Sequence, residues 1–509
     1  MADASSVIEA DVVVIGGGGS GLAAAAEAAR VGRSVILLEK NPETGGTTSW
    51  SVGSVTATNT PHQKRAGIQD TPQAHFEDLD LHAGALAPRD NLQLRRILVE
   101  NTTDMLEWLM SLGVVFVGPM PEPPNRHPRM HNVVPNSKSF AYHLTRHCRV
   151  LGVDIRVNTV TERLVEENGR IVGVEACSAD GTKQVFRARG GVVLAAGDFS
   201  SGADLKAELA TPDMADIEAV NVSSTGDGHR MARAVGATVV NGDIVHGPIM
   251  RFIPPTRANL IRSLPPAKPL AELIAWSMNV LPQWILRPFL MSFLTTALGP
   301  SPDLFKQGAI LVNRNGERFT DELGKPAYPV AAQPERIAYI VFDDALAQTF
   351  DAWPYFVSTA PGVAYAYLKD YRRNRADIYH EADTIAGLAA SMDVPRDKLA
   401  GTIAEYNDAG RGPRPALARK PYYALGPVKS YIVFTEGGLK VSERLEVLRA
   451  DGAVIPGLYA AGSTGQGGLL LEGHGHHLGW AFISGRIAGR NAAFEVSSPT
   501  AEPDAPLEV

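Results

Sequence analysis

The chain opens on a short unbroken apolar run, Val12 to Ile15, the pattern of a strand buried on both faces of a parallel sheet. A glycine-rich turn and an alanine-rich helical stretch follow, and Ser34 to Glu39 predicts a second buried strand. Thr71 to Gly113 carries helical periodicity, clearest over Leu92 to Leu112. Ala141 to Leu151 predicts a helix and Val153 to Val157 a strand. Thr159 to Val165, Ile171 to Glu175 and Gln184 to Ala188 alternate around turns at Asn168-Gly169 and Asp180-Gly181, which predicts antiparallel strands. Gly191 to Phe199 is a further buried strand, and Thr225 to Ala237 a turn entering a helix. Ala309 to Glu322 predicts a strand, an Asn315-Gly316 turn and a return strand, with another strand at Ala338 to Asp343. Ala382 to Ala390 and Pro395 to Tyr406 read as helices, the first capped by Asp383 or Thr384. Gly457 to Gly462 reads as a strand entering a glycine-rich loop, and Leu478 to Phe494 as the last helix.

The first turn carries the sharpest chemistry. Gly16, Gly18 and Gly21 fit G-x-G-x-x-G, with Gly19 and Ser20 inside the turn. Gly16 permits the bend, Gly18 lets backbone approach a pyrophosphate, and Gly21 lets helix and strand pack closely. The helix N-terminus then offers N–H groups and partial positive charge to phosphates. Glu39, with Lys40 beside it, follows Gly21 by 18 residues, near the spacing of the carboxylate that binds an adenosine ribose. The alternative is a structural turn with a surface Glu. Asn41 to Ser54 is a small, hydroxylated loop in which Gly46, Thr47, Thr48 and Ser51 either clasp a cofactor or form a polar surface. Asp227 is either a helix cap or a cofactor contact.

Composition changes the picture in one place. From Leu264 to Pro300 the chain is rich in Leu, Ile, Trp, Phe and Pro, but Pro282, Gln283, Arg287 and Pro288 interrupt the run a spanning helix would need. Residues 270–294 are a lid over an apolar substrate, a membrane-surface element, or plain core. Gly118 to Arg129 holds five prolines beside Arg126, His127, Arg129 and His131, and reads equally as linker or as ligand-contacting loop. Net charge −7 argues against nucleic-acid binding. Two cysteines without metal-site spacing, and no basic-then-apolar leader, make a reducing cytoplasm the default, with peripheral membrane contact as the alternative.

Taken in order, these segments resemble the fumarate reductase and 3-ketosteroid dehydrogenase superfamily of FAD flavoproteins. The resemblance rests on Gly16 to Gly21 with Glu39, Gly45-Gly-Thr-Thr48, Leu194-Ala-Ala-Gly197 and Thr225-Gly-Asp-Gly228. Asn313 to Glu322, Thr435-Glu-Gly-Gly438, Gly457 to Gly462 and Ser484-Gly-Arg-Ile-Ala-Gly489 extend it. It implies an α/β fold: a Rossmann-like FAD-binding domain formed by 1–241 and 428–495, with an inserted α+β substrate-capping domain at 242–427; the Ser, Pro and acid composition of 496–509 separately predicts a disordered tail. The resemblance further implies a β-meander with a backbone contact from Val160 to adenine, and Ala196 and Gly197 close to the flavin nucleotide. Gly462 and Leu478 complete the FAD site. The familiar form has glycine where this chain has Asp198. No histidine lies between Glu43 and Pro61, where covalent attachment occurs in respiratory fumarate reductases, so non-covalent FAD is expected.

Departures from that pattern bear on the reaction. Where fumarate reductases carry an arginine acid, this chain has Pro326. Phe434 replaces a histidine, and His477 replaces a substrate-clamping arginine. A dicarboxylate would then lack its bidentate partners. Tyr328 stands near the place of the ketosteroid dehydrogenases' tyrosine, and Gly475 could polarise a substrate carbonyl through its N–H. His474, His476 and His477 are candidate acids or bases; as metal ligands they are crowded, so no metal is expected. The implied reaction is FAD-dependent desaturation beside a ketone in a hydrophobic cyclic substrate, with hydride passing to flavin N5 and onward to an external electron acceptor. The alternatives are an enoate or enone reductase running backwards and a membrane-surface electron carrier.

Overall fold

The computed structural model describes residues 7–255, 263–360, 364–410 and 412–495; the predicted tail at 496–509 lies outside them. Val7–Ile15 is the centre of the main sheet. It runs parallel to Val35–Leu38 on one side and to Lys183–Leu194 on the other, which is why Val12 to Val14 need no polar face. Asp154–Arg156 extends the sheet beyond Val35–Leu38, and Val454–Ala460 joins in parallel beside Lys183–Leu194. A strand from near the C-terminal end thus completes a sheet begun at residue 7. Thr159–Glu167, Arg170–Ser178 and Lys183–Leu194 form an antiparallel meander.

Two helices close this unit. Gly19–Arg30 packs on His476–Phe494 with backbones in near contact, because a Cβ at Gly485 would strike the Ser20 carbonyl and one at Gly489 the Ala24 carbonyl. Val12, Leu22, Leu458 and Trp480 share the resulting core.

A second, antiparallel sheet is ordered Ile249–Phe252, Tyr422–Tyr431, Ala338–Asp343, Ile310–Val312, with Tyr379–Ala382 also on Tyr422–Tyr431. Phe252, Phe342 and Leu425 pack on one face. Ile385–Met392 and Arg396–Glu405 cover the other through Leu388, Leu399 and Ile403. Two short ladders stitch the sheets' surroundings together: Val239–Val240 with Gly438–Leu439, and Val245–His246 with Phe434–Thr435. The architecture is α/β, a Rossmann-like unit from both ends of the chain with an α+β unit between.

Several expectations need correction. Thr71 to Gly113 is two helices, Pro72–Ala83 and Leu92–Ser111; Gly84, at φ +52°, ends the first. The return strand after Asn315-Gly316 reduces to one bridge, Val312 to Arg318. The Glu322 carboxylate takes the Leu311 N–H at 3.1 Å, a donor that strand would have needed. The last helix starts at His476, not Leu478.

The apolar segment is two helices, Lys268–Val280 and Gln283–Ala297, broken at Pro282, which has no N–H to continue the first. The first lays Ala271, Ile274 and Met278 against Val115, Val117 and Val134, and leaves Leu273, Trp276 and Val280 exposed. Among the described residues no helix is long and apolar enough to cross a membrane.

Candidate active site

The first turn folds as a phosphate cradle. Gly16 sits at φ +101°, where an L side chain is strained, and a Cβ there would strike the Ala195 carbonyl. A Cβ at Gly21 would strike the Gly16 carbonyl. At Gly18, in contrast, it meets nothing within 4 Å, so open space lies in front of this backbone alone. The second loop closes on the first: Gly45 N–H donates to the Gly17 carbonyl at 2.8 Å, and Gly19 N–H to Thr48 Oγ1 at 3.1 Å. Gly46 begins the short helix Gly46–Trp50, its Cβ direction facing Gly18. Glu39 is buried at the end of Val35–Leu38 and accepts N–H groups from Gly17 at 2.6 Å and Asn41 at 2.8 Å.

Other predicted cofactor residues are held in mutual contacts. Lys40 Nζ donates to Asp227 Oδ2 at 2.7 Å and Thr225 Oγ1 at 2.6 Å. Asp227 is therefore an ion-pair partner; Gly226 holds the cap position without a side-chain bond. Thr47 Oγ1 accepts from Asn221 Nδ2 at 2.8 Å. Ser51 Oγ donates to the Thr48 carbonyl at 2.8 Å, a helix-end contact. Gly462, at φ +61°, donates its N–H to Ser484 Oγ at 2.8 Å, while Gly197 gives its carbonyl to Thr464 Oγ1. Ala196 lines the same junction, its Cβ 3.2 Å from where one on Gly228 would stand. Leu478 packs at the edge of the main core, and Val160 lies on a meander strand, 46% exposed. Asp198 replaces the familiar glycine as a buried tie, accepting the Thr435 N–H at 2.9 Å; burial pushes its carboxyl up.

That tie leads to the densest chemistry. Glu436 is fully buried, and its Oε1 lies 2.9 Å from His246 Nε2 and 3.3 Å from His477 Nε2. Gln466 Nε2 and the Leu471 N–H donate to Oε2. Burial opposes the charge, but the two imidazoles outweigh it and hold the Glu436 carboxyl down to about 2. Phe434 stands between those imidazoles, its ring centroid 4.2 Å from each. His246 Nε2 is also 3.5 Å from Glu472 Oε1. Burial works against a charged His246, yet the bond to Glu436 and the charges of both carboxylates raise it above the ordinary imidazole value.

The adjacent histidines divide sharply. His476 is fully buried: its Nδ1 donates to the Glu472 carbonyl at 2.6 Å and its Nε2 meets His75 Nε2 at 3.0 Å. Burial holds it neutral, down to about 4. Both of its ring nitrogens are thus engaged by protein groups. His474 is 56% exposed on its side chain and bound to Glu122, Nδ1 to Oε1 at 2.5 Å. Gly475 is the helix N-cap at φ +93°, pressed against Val55 and Thr56. Tyr328 is the second residue of a short helix, Ala327–Ala331, which Ser430 ties to the second sheet through the Ala327 carbonyl. Tyr328 is half-buried, and its hydroxyl makes no hydrogen bond to another described residue.

Neither Glu436, within Thr435-Glu-Gly-Gly438, nor His246 is among the residues the sequence pattern singles out. An acid directly before Gly437-Gly438 was the available signal; His246 had none. The proline-rich loop proves anchored, since Arg126 and Arg129 pair with Asp78, and Arg129 also with Asp70. Its Glu122 nonetheless meets His474. A groove of about 550 Å³ between Lys268–Val280 and Val114 to Gly118 shares no lining residue with the Glu436 cluster. Among the described residues no His, Cys, Asp and Glu group could hold a metal ion.

These residues fit FAD. The space before Gly18 suits a pyrophosphate, and three buried polar atoms without hydrogen-bond partners, Thr435 Oγ1, Gln466 Oε1 and His477 Nε2, gather at the other end. The chain belongs to the FAD binding domain family, which it matches over residues 11–252 and 283–470. It is 27% identical to a urocanate reductase of Eggerthella lenta, over 95% of this chain and 75% of that one. The chain spans half to three-quarters of the length of the first curated relatives it matches. Among solved structures, the open conformation of a flavocytochrome c3 fumarate reductase superposes with a TM-score of 0.71 at 25% identity, covering 96% of this chain and 79% of that one. A 3-ketosteroid-delta4-(5alpha)-dehydrogenase from Rhodococcus jostii, in complex with 4-androstene-3,17-dione, does so at 0.59 and 25%, covering 97% and 98%. The protein is an FAD-dependent oxidoreductase acting on CH–CH groups.

Proposed function

We propose that the enzyme desaturates the C–C bond beside a ketone in a hydrophobic, cyclic, steroid-like substrate. The arrangement of Phe434 between His246 and His477 carries this reading. Glu436 holds His246 in a hydrogen bond at 2.9 Å and stands 3.3 Å from His477. A substrate carboxylate arriving there would meet the charges of Glu436 and Glu472, whose ion-pair partners among the described residues are histidines rather than a guanidinium fork. A neutral ketone meets instead an aromatic face. The likeness to a dehydrogenase solved with 4-androstene-3,17-dione agrees with that chemistry.

Bound FAD, held non-covalently, supplies the acceptor for the substrate's hydride. Its pyrophosphate would lie on Gly16 to Gly21 and Gly46 to Thr48, its ribose at Glu39. His477 Nε2, buried and 3.3 Å from Glu436 without an aligned hydrogen bond to it, is the group assigned to take the α-proton. Tyr328 and the Gly475 N–H polarise the ketone oxygen as charge develops on it. His474, bound to Glu122, supports the loop that carries Gly475.

Anaerobic mixing with saturated 3-ketosteroids tests this: the flavin bleaches. Silence with every ketone sinks the reading. The likeness to a urocanate reductase favours a second reading, in which the same site adds hydrogen to an activated alkene; reoxidation of reduced flavin by enones would reveal it.

A further inference from the structure

The Glu436 cluster does not stop at the groups assigned above. Glu436 Oε1 is shared by His477 Nε2 at 3.3 Å and His246 Nε2 at 2.9 Å, and that same His246 nitrogen is 3.5 Å from Glu472 Oε1. Glu436 is sealed from solvent, whereas the Glu472 side chain is 33% exposed. Four titratable groups therefore form a continuous row from the proposed base to the surface. The His477 side chain is 22% exposed and packs against the Phe434 ring. A bulky substrate lying there would cover it, and a proton taken beneath that substrate needs an exit through the protein.

We propose that Glu436, His246 and Glu472 form the proton path that clears His477 during turnover; this rests on the reading of His477 as the base. The α-carbon's C–H bond breaks and its proton goes to His477 Nε2, while the neighbouring carbon gives its hydride, with both electrons, to FAD as oxidant. A small rotation brings Nε2 onto Glu436 Oε1. His246 passes its Nε2 proton to Glu472, which releases it to water, and takes a replacement from Glu436. Every group returns to its starting charge, and no electron travels along the row.

The surroundings agree with a bridge rather than a store. Gln466 and the Leu471 N–H occupy the other oxygen of Glu436, and the two imidazoles keep it ionised, so a proton rests on the imidazoles and only crosses the carboxylate. Beside His477, His476 is neutral and turned to His75, while Asp198 and His229 bond to the backbone of Thr435 and Gly437 rather than to the row. His246 stands between two carboxylates and answers to both.

Glu472→Gln and His246→Gln holoenzymes test the path, with a saturated 3-ketosteroid and a dye as electron acceptor. Each variant should slow steady-state turnover about tenfold, less than the ~10²-fold loss of a direct acid–base group. Added imidazole buffer should restore most of it in Glu472→Gln. Turnover equal to the parent enzyme in both variants, or a loss imidazole does not repair, overturns the path. A second arm needs no substrate: in ¹⁵N-histidine-labelled holoenzyme, His246→Gln should move the His477 ring-nitrogen resonances. An unmoved His477 overturns the path even if turnover falls. Failure of the parent enzyme to bleach with any ketone would remove the functional reading instead, leaving the NMR arm to decide whether the row is coupled.

Discussion

His246 Nε2 lies 2.9 Å from Glu436 Oε1, across a separation of 190 residues. The two-residue ladder of Val245–His246 with Phe434–Thr435 brings them together, one residue before the carboxylate. Burial of Glu436 makes the bond matter, because a carboxylate withdrawn from water keeps its charge only with such partners. Glu436→Gln preserves the shape and removes the charge. We expect the His246 titration to fall towards the ordinary 6.5 and flavin reduction to slow by about 10²-fold. A His246 resonance that titrates as before would contradict this.

The opening turn separates two glycine roles. Gly18 has φ −74° and ψ −174°, allowed for any residue, and open space where its Cβ would go. Gly18→Ala should leave the stability of flavin-free protein within about 0.5 kcal/mol and weaken FAD binding at least tenfold, as followed by flavin fluorescence. Gly21→Ala, placed against the Gly16 carbonyl, should destabilise the protein itself by about 1–3 kcal/mol. If Gly18→Ala binds FAD unchanged, the cradle is elsewhere.

Buried neutral histidines set an acid limit. Burial holds His131, His229 and His476 down to about 4, and His75 well below 6.5. Above pH 6.5 neither folded nor unfolded chain is protonated at these sites, so nothing is lost. Below it the unfolded chain takes up protons the folded one refuses, costing about 1.4 kcal/mol per pH unit for each imidazole. Urea midpoints should fall steeply from pH 6.5 to 4.5. A flat profile there would refute the assignment.

The pair of His474 and Glu122 has the opposite sign. Its hydrogen bond to Glu122 raises His474 against burial, and the same contact lowers Glu122. The pair's contribution is fully present below pH 6.5, provided Glu122 is ionised, and is lost as pH rises through the raised His474 value. With His474 half in water it is under about 1 kcal/mol. Glu122→Gln should therefore cost stability at pH 6 and little at pH 9; equal losses at both would show a packing effect instead.

Helix packing offers a purely structural test. Gly489→Ala would press a methyl on the Ala24 carbonyl and force Gly19–Arg30 from His476–Phe494. A loss of about 1–3 kcal/mol in chemical denaturation is expected, with weaker FAD binding because both helices border the cradle. No change in either would mean that the helices separate freely.

The amino-acid sequence by itself determined what is local. Val12 to Ile15, the glycines of the first turn and Glu39 lie within one strand–turn–helix–strand unit, where spacing alone sets backbone geometry. The meander was legible for the same reason, since its turns are encoded at Asn168-Gly169 and Asp180-Gly181. Tertiary structure alone decided which chemistry faces inward. His476 and His477 are neighbours, but about 100° of helical rotation turns one into the core against His75 and the other onto Glu436. No pattern in eleven residues around them distinguishes the two. His246 and Glu436 meet only because strands from distant parts of the chain pair at the seam between the sheets. A buried charge draws its partners from whatever folding places beside it, and that depends on topology rather than on spacing along the chain.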